Sequence, residues 1–476
     1  MRRDMRLKDN TALNEALTDS EQVAIVFIFD DVILKKLKPS DKRMTIIWNN
    51  LVYLNKIINE KNNDNVCVQL YFGNPIKVIP QIIEENNIQA LYFNRDYEPY
   101  AKKRDNTVVQ SCENIEIDVH HFRDHVLVEA WELKNKQGGF YKVFTPYKNS
   151  WFQFVHQRAK RLIPKTVSFK NKLFNLKSKF KSIKSLKDLD FEEQEISLKC
   201  VKPELADTLL STFARQKCRD YAVNRDFPGI EGISRLSVYL RFGVLSSRQI
   251  IKKINHYNEV HFKGLEVYQS ELVWREFYQM ILWAYPFVEK KSFKAQYDNI
   301  KWLGTRKNFN LWAKGMTGFP LIDAAMREFN ETGLMHNRLR MVVASFLIKD
   351  LQCDWRWGER YFAEHLLDFD LAANSGGWQW CASSGCDAQP YFRIFNPSSQ
   401  SKRFDADGEY IKRHLPELKN LPKKYLHEPW LMTPVEQASL KCVLGKDYPR
   451  PIVDHREARY KTLKMYDVVK SKKVTL

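Results

Sequence analysis

An N-terminal α/β domain built on a doubly wound parallel sheet, followed by a larger all-α domain, is the architecture this chain of 476 residues predicts. Three observations carry that expectation. Residues 21–150 alternate β-rich apolar runs with helical stretches, residues 165–187 turn rich in Lys and Ser, and beyond residue 201 the apolar positions recur at helical spacing. The length alone exceeds one ordinary core, so two or three domains are expected.

The first strand is read in Val23-Ala24-Ile25-Val26-Phe27-Ile28-Phe29, an unbroken apolar run suited to a strand covered on both faces. Residues 66–72 and 90–93 repeat that pattern, and helical segments over 44–59 and 75–85 lie between. Strands alternating with helices predict parallel pairing. No Gly-x-Gly-x-x-Gly turn follows any of them, so a Rossmann dinucleotide site has no support. This domain is placed at 1–150. Residues 151–200 are read as a basic interdomain linker with room for a helix, and a solvated connector is a simpler account of its lysines than a DNA contact. Residues 201–476 are assigned to the helical domain. Pro320 opens one of its helices, Leu321, Ile322, Ala325, Met326 and Phe329 form the apolar face, and Gly333 ends it. Leu339, Val342, Val343, Phe346 and Leu347 face inward on the next helix.

Composition narrows the function classes. The net charge is +19, with 76 Lys and Arg against 57 Asp and Glu, which favours a polyanionic partner. Nucleic acid stands ahead of an anionic membrane, because no basic amphipathic helix carries flanking Trp or Leu anchors. No apolar run reaches the length of about 18 residues that a membrane span needs. The basic start Met1-Arg2-Arg3 lacks the apolar stretch of a secretory signal, so a cytoplasmic location is expected. Eight cysteines without ligand spacing read as reduced thiols, and no metal site is expected.

Four short segments have the residue types for chemistry. Residues 368–380 set Asp368, Asp370, Asn374, Trp378 and Trp380 around Ala-Ala and Gly-Gly pairs, a mixture suited to a large flat ligand with polar edges. A helix corner with core Trp residues is the plain structural reading of those thirteen positions alone. Ser234-Arg235-Leu236-Ser237 places two hydroxyls at a helix start, where phosphate binds, though most such segments are simple caps. Glu271, Trp274, Arg275 and Tyr278 share neighbouring helix turns; an acid beside an aromatic plate suits a heterocycle, and an i,i+4 ion pair between Glu271 and Arg275 is the plainer account. Asn337, Arg338 and Arg340 stand at another helix start, either a surface turn or a set of anion contacts. Trp302, Trp355 and Trp378 are expected on three separate helical segments, as a chain of contacts or as core.

In this order the segments resemble the photolyase/cryptochrome family over nearly the whole chain. Arg2-Arg3-Asp4-Met5-Arg6-Leu7-Lys8-Asp9-Asn10 looks like the family's opening loop, and Tyr141-Lys142-Val143-Phe144-Thr145-Pro146-Tyr147 like the end of its first domain. The strongest stretch runs from Trp274 to Phe404 and includes Gly318-Phe319-Pro320-Leu321-Ile322-Asp323-Ala324-Ala325-Met326-Arg327. Bacterial class I cyclobutane pyrimidine dimer photolyases are the nearest subgroup. The resemblance implies FAD as cofactor and UV-damaged DNA as partner, with a monomeric protein. Tyr221, Ser234, Arg235, Leu236, Ser237, Tyr268 and Arg275 would line the FAD phosphates, while Asp368, Phe369 and Asp370 would meet the flavin, with Arg340 paired to Asp368. Asn374 would stand at the flavin N5, and Trp378, Trp355 and Trp302 would carry electrons inward from the surface. Glu271 and Trp274 would hold the flipped-out dimer, and Arg225, Arg275, Tyr278, Asn337, Arg338, Gln400 and Arg403 would contact DNA.

Some positions depart from the family pattern. Ile233 replaces a Thr of the phosphate loop, and Phe369 stands where Gly is usual between the acids. Tyr97-Glu98-Pro99-Tyr100-Ala101 lacks the Asn-Glu pair of folate-binding members, which leaves a second antenna chromophore open between a deazaflavin and none. Met1 falls inside the opening motif, so either translation starts upstream or the sheet is without its first strand; the former is expected. The expected activity is light-driven dimer splitting, with a blue-light receptor of the cryptochrome type as the alternative. Asn374, the Glu271/Trp274 pair and the absence of a long tail after 451–455 favour the enzyme, and Met335-His336-Asn337-Arg338 lacks the paired His of (6-4) repair enzymes.

Overall fold

A computed structural model describes residues 1–62, 66–196, 198–257 and 262–469; the final stretch 470–476 of the expected helical domain lies outside that range. The chain forms two compact units. The first comprises Met1–Tyr141, Thr145–Arg219 and Ser234–Ala284, the second Lys142–Phe144, Asp220–Ile233 and Tyr285–Leu476.

In the first unit the order is α1 (Thr11–Asp19), β1 (Val26–Asp30), α2 (Lys42–Lys61), β2 (Gln69–Gly73), α3 (Pro75–Asn86), β3 (Ala90–Asn94), α4 (Pro99–Glu113) and β4 (Asp118–Phe122). Local chemistry sets these limits. Asn10, Asp41 and Asn74 accept backbone N–H groups at the starts of α1, α2 and α3, and Asn87 ends α3 in the left-handed region at φ 50°. β1 pairs in parallel with β2, Val26 opposite Gln69, and β3 in parallel with β4, Ala90 opposite Asp118. The parallel pairing and the helical crossovers agree with expectation. The sheet differs in being divided, since among the described residues no ladder joins β1 to β3. The Met1 ammonium donates to the Val26 carbonyl at 2.9 Å, beside β1. Tyr71, Val78, Ile82 and Leu176 form one apolar cluster here, and Ile83, Val108 and Cys112 another.

Lys165–Lys187 contains no α-helix. It runs irregularly over the first unit, bridges Val23 through Leu173, and meets a 3-10 turn at Leu186–Leu189. The same unit holds α5 (Ser237–Phe242) and α6 (Lys263–Ala284).

The second unit is helical, with α7 (Pro320–Thr332), α8 (Asn337–Ser345), α9 (Trp355–His365), α10 (Leu371–Cys381), α11 (Pro397–Phe404) and α12 (His455–Met465) among its elements. Pro320 occupies the first position of α7, and Gly333 closes it at φ 71°, as read from sequence. The expected run through Leu347 is not one continuous α-helix: α8 passes into a π-helical turn, Phe346–Asp350. That wider turn ends with Lys349 and Asp350 both buried. Their neighbours supply polar partners. The Lys349 ammonium lies 3.1 Å from Ser383 Oγ and 3.8 Å above the Tyr466 ring, and Asp350 lies 2.6 Å from His455 Nδ1. One apolar cluster joins α7, α8, α9 and α10 through Phe329, Val343, Phe362 and Trp378. All eight cysteines are free thiols. Among the described residues no helix is long and apolar enough to cross a membrane.

Candidate active site

In the second unit, α9 and α10 bring together several of the polar groups singled out from sequence. Asp368 is buried just before α10, and Arg340 Nη2 donates to both its oxygens at 3.1 and 2.8 Å. Arg340 Nε also donates to the Met335 carbonyl at 2.9 Å, which aims the guanidinium. Asp370 is the N-cap of α10 and accepts from the Ala373 N–H at 3.1 Å. Phe369, between the acids, packs on the apolar cluster. One turn into α10, the buried Asn374 donates its amide to Glu359 Oε1 at 2.8 Å and to the Glu359 carbonyl at 3.0 Å. Burial raises the Glu359 carboxyl above its usual pKa, and the Asn374 bond pulls the other way. Sequence reading missed Glu359; fifteen residues from Asn374 on a different helix, it carries no local signal.

Trp355 and Trp378 are buried members of the large apolar cluster, and Trp302 packs, partly buried, against that cluster. Trp355 and Trp378 are helical as expected. Trp302 is not: it lies in an irregular segment before Thr305. Its ring meets Tyr466 at 6.2 Å, while Trp378 meets Phe362 at 5.1 Å and Trp312 at 6.1 Å. Among the described residues no ring contact joins Trp378 to Trp355 or Trp355 to Trp302 directly. Among the described residues, the buried Nε1 of Trp355 has no acceptor. Trp380, given no role by the sequence, packs on the apolar cluster.

A basic group also forms in this unit. Arg338 and Arg403 both lie over the Phe404 ring, at 4.5 and 5.1 Å, and Arg338 pairs with Asp226 at 2.8 Å. Arg225 stands 3.9 Å from that same Asp226 and 5.5 Å from the ring of the buried Tyr221. Gln400 is on α11 with Arg403, and Asn337 opens α8, where the His336 ring accepts from the Arg338 N–H.

In the first unit, Ser234 precedes Arg235, whose φ of 53° turns the chain toward Leu236 and Ser237. Leu236 takes the N-cap position of α5, so no side chain satisfies that helix start, and Ser237 follows it exposed. Tyr268 is buried against Phe213, ring centroids 4.4 Å apart; burial raises its hydroxyl pKa, and a hydrogen bond with Ser234 opposes the rise. Arg275 donates to the His125 carbonyl at 2.8 Å and meets its ring nitrogens. Burial first, then the Arg275 charge, hold His125 well below its usual pKa. Glu271 lies one turn before, and Trp274 meets Tyr278 with ring centroids 5.5 Å apart and the planes tilted by 31°. Beneath them Glu276, also missed by sequence, accepts from the Leu127 and Val128 N–H groups and from the Trp151 indole at 2.7 Å. Burial pushes its carboxyl up to about 7.

Each unit, taken by itself, has polar groups whose chemistry suits part of FAD. The side-chain-uncapped turn at Ser237 offers N–H groups and a hydroxyl to a phosphate. The buried Asp368 and Asn374 offer an acceptor and an amide to a ring edge.

Comparison with known proteins agrees. The family described as the FAD binding domain of DNA photolyase matches residues 268–468, and the family described as DNA photolyase matches residues 1–165. The deoxyribodipyrimidine photo-lyase of Vibrio cholerae is 38% identical over 483 residues, covering 98% of each chain. The crystal structure of a bacterial class III photolyase from Agrobacterium tumefaciens superposes with a TM-score of 0.88 at 31% identity, covering 99% of this chain and 97% of that one. An archaeal photolyase from Sulfolobus tokodaii, solved with two FAD molecules, gives a TM-score of 0.80 at 31% identity over 98% of each chain. The chain belongs to the DNA photolyase family.

Proposed function

We propose that this protein repairs UV-damaged DNA with light, splitting cyclobutane pyrimidine dimers by electron transfer from bound FAD. The observation that carries the reading is the pair of buried polar contacts on α9 and α10, Arg340 with Asp368 and Glu359 with Asn374. Relatives named for this activity cover the chain end to end, which sets it ahead of the blue-light receptor alternative.

FAD, when bound, reduced and excited, supplies the electron that opens the cyclobutane ring. The chain's own residues do the rest. Tyr221, Ser234, Arg235, Leu236, Ser237, Tyr268 and Arg275 hold the cofactor's phosphate side. Asp368, Phe369 and Asp370 bound the flavin, with Arg340 fixing Asp368. Asn374, its NH2 group held by Glu359, presents its amide oxygen to the ring edge. Trp302, Trp355 and Trp378 form the route by which a surface donor recharges the cofactor.

A lesion inside a duplex must be extruded before chemistry reaches it, and a damaged pair is the cheaper one to unstack. Trp274, backed by Tyr278, then supplies a plate for the extruded bases, and Glu271 steadies charge developing on a pyrimidine carbonyl. Arg225, Arg338 and Arg403 neutralise phosphates while Asn337 and Gln400 add hydrogen bonds to the backbone or lesion, so binding weakens with salt by a log–log slope of about −0.9 per phosphate neutralised. The protein acts as a monomer in the cytoplasm.

The test is the absorption spectrum of the purified protein before and after denaturation, followed by incubation with dimer-containing DNA in the dark. Released FAD and preferential binding of the damaged strand are expected. A colourless protein, or equal affinity for damaged and undamaged DNA, contradicts the reading.

A further inference from the structure

The segment Lys165 to Lys187 contains eight lysines and no acidic residue, and it is held in place along its length. Its backbone is clipped by side-chain amides acting as a substitute for a strand partner. Gln69 bonds Leu176 in both directions, Nε2 to the carbonyl at 2.9 Å and Oε1 from the N–H at 2.7 Å. Asn86 does the same to Lys177, at 2.7 Å each way. Asn14 bonds the Lys165 carbonyl and the Val167 N–H, and Asn62 accepts from the Asn171 N–H.

The side chains follow a rule. Phe169, Leu176 and Ile183, seven residues apart, are buried, and each is followed by an exposed lysine: Lys170, Lys177 and Lys184. Leu186 and Lys187 repeat the step. Each apolar anchor thus fixes the backbone from which its lysine projects. Other lysines here have partners: Lys181 lies 3.2 Å from Asp188, and Lys172 donates to the Leu17 carbonyl at 2.6 Å. Among the described residues, the ammonium groups of Lys170, Lys177, Lys184 and Lys187 form no ion pair with a carboxylate.

A passive tether gains nothing from being ordered, because fixing each backbone residue costs about 1–2 kcal/mol of entropy. Here that cost is met to hold four unneutralised charges at fixed positions along one strip. Asp188, the acid at the end of the strip, is engaged by Lys181 and by the Lys184 backbone N–H; fixed cations spaced along such a strip complement a regularly charged polyanion, and the activity already places DNA against this protein.

We propose that Lys170, Lys177, Lys184 and Lys187 form a second, sequence-independent contact for the phosphates of duplex DNA, made of none of the residues assigned to lesion binding. It rests on the DNA-repair reading for its partner, and it serves the search along undamaged duplex more than recognition of the dimer.

The test uses the full chain and long undamaged duplex in the dark, with affinity followed against salt. Replacing all four by Gln (Lys170→Gln, Lys177→Gln, Lys184→Gln, Lys187→Gln) should flatten the log–log slope by about 0.9 per lysine that meets a phosphate, about 3.6 for four. The matching Lys→Arg set should keep the slope. Light-driven repair of a short single-stranded oligonucleotide bearing one dimer, and the melting temperature, should not change in either set. A slope unchanged by the Gln set overturns the proposal. So does loss of binding to phosphatidylglycerol vesicles with the DNA slope intact, which would assign the strip to a lipid surface. Failure of the unmodified protein to repair the oligonucleotide would instead count against the activity, since the slope is read on undamaged DNA.

Discussion

Asn374 and Glu359 are joined at two points: the Asn374 amide donates to the Glu359 carboxylate at 2.8 Å and to the Glu359 carbonyl at 3.0 Å. One residue on α9 therefore sets the orientation of the side chain that α10 turns inward. Replacing Glu359 by Ala removes the carboxylate contact and leaves the amide held by the backbone carbonyl alone. A hydrogen bond to a charged group contributes about 1.5–3 kcal/mol, so an effect of about tenfold or more is expected. The expected outcome for Glu359→Ala is retained FAD whose reduced form reoxidises in air about tenfold faster, followed by flavin absorbance. Unchanged reoxidation would separate Glu359 from the control of the cofactor.

The Arg340–Asp368 pair makes a different prediction. Asp368 is almost fully buried, while Arg340 keeps about a third of its side chain in water. Removing the carboxylate leaves a partly hydrated guanidinium, so the loss falls below the roughly 3–5 kcal/mol of a fully buried broken pair. Asp368→Ala should lower the melting temperature modestly and the FAD content strongly. A variant that purifies with one FAD per chain would remove Asp368 from the cofactor site.

Gly358 bears on the electron route without belonging to it. A Cβ there would meet the Trp378 ring at 2.1 Å and Leu347 at 2.7 Å, so the indole must move. Gly358→Ala should slow photoreduction of oxidised FAD by an order of magnitude or more, while repair by chemically reduced protein persists. Trp302→Phe should show the same split. Equal loss of both activities in Trp302→Phe would reject its relay role.

Lys349 predicts a pH signature of stability. Burial lowers its ammonium from 10.5 to about 7. Between those two values the unfolded chain holds a proton that the folded chain has released, so stability rises with pH across that window and the cost of the buried charge is greatest below pH 7. The stability difference between the native protein and Lys349→Met should therefore change by about 1.4 kcal/mol per pH unit from pH 7 upward, read from urea unfolding. A flat difference would contradict it.

Much of this was legible in residues with local signals. Pro320 and Gly333 bracket α7 because a missing N–H and a left-handed turn act on the chain at those positions alone. The apolar runs at Val26 and Ala90 marked parallel strands for the same reason. β4 gave no such signal, since Asp118-Val119-His120-His121-Phe122 is half polar and largely exposed. The division of the sheet was not legible, because pairing is decided between segments and not within them. Within the candidate site, Asp368 with Arg340 came from the family pattern, whereas Glu359 beside Asn374 and the buried Glu276 on α6 came only from packing. Trp302 was expected on a helical segment of its own, but it lies in an irregular crossing. The lysine segment read as a solvated connector because its anchors, Phe169, Leu176 and Ile183, recur every seven residues amid polar chain and do not form an amphipathic face by themselves.

The central claim is tested most directly by light. Protein with chemically reduced FAD, mixed without oxygen with an oligonucleotide carrying one thymine dimer, is illuminated with blue light and its absorbance followed. Recovery of thymine absorbance in the light, none in the dark, and a lower yield per absorbed photon in Glu271→Ala are the predicted results. Dimers left intact under illumination, with reduced FAD present throughout, would contradict the account.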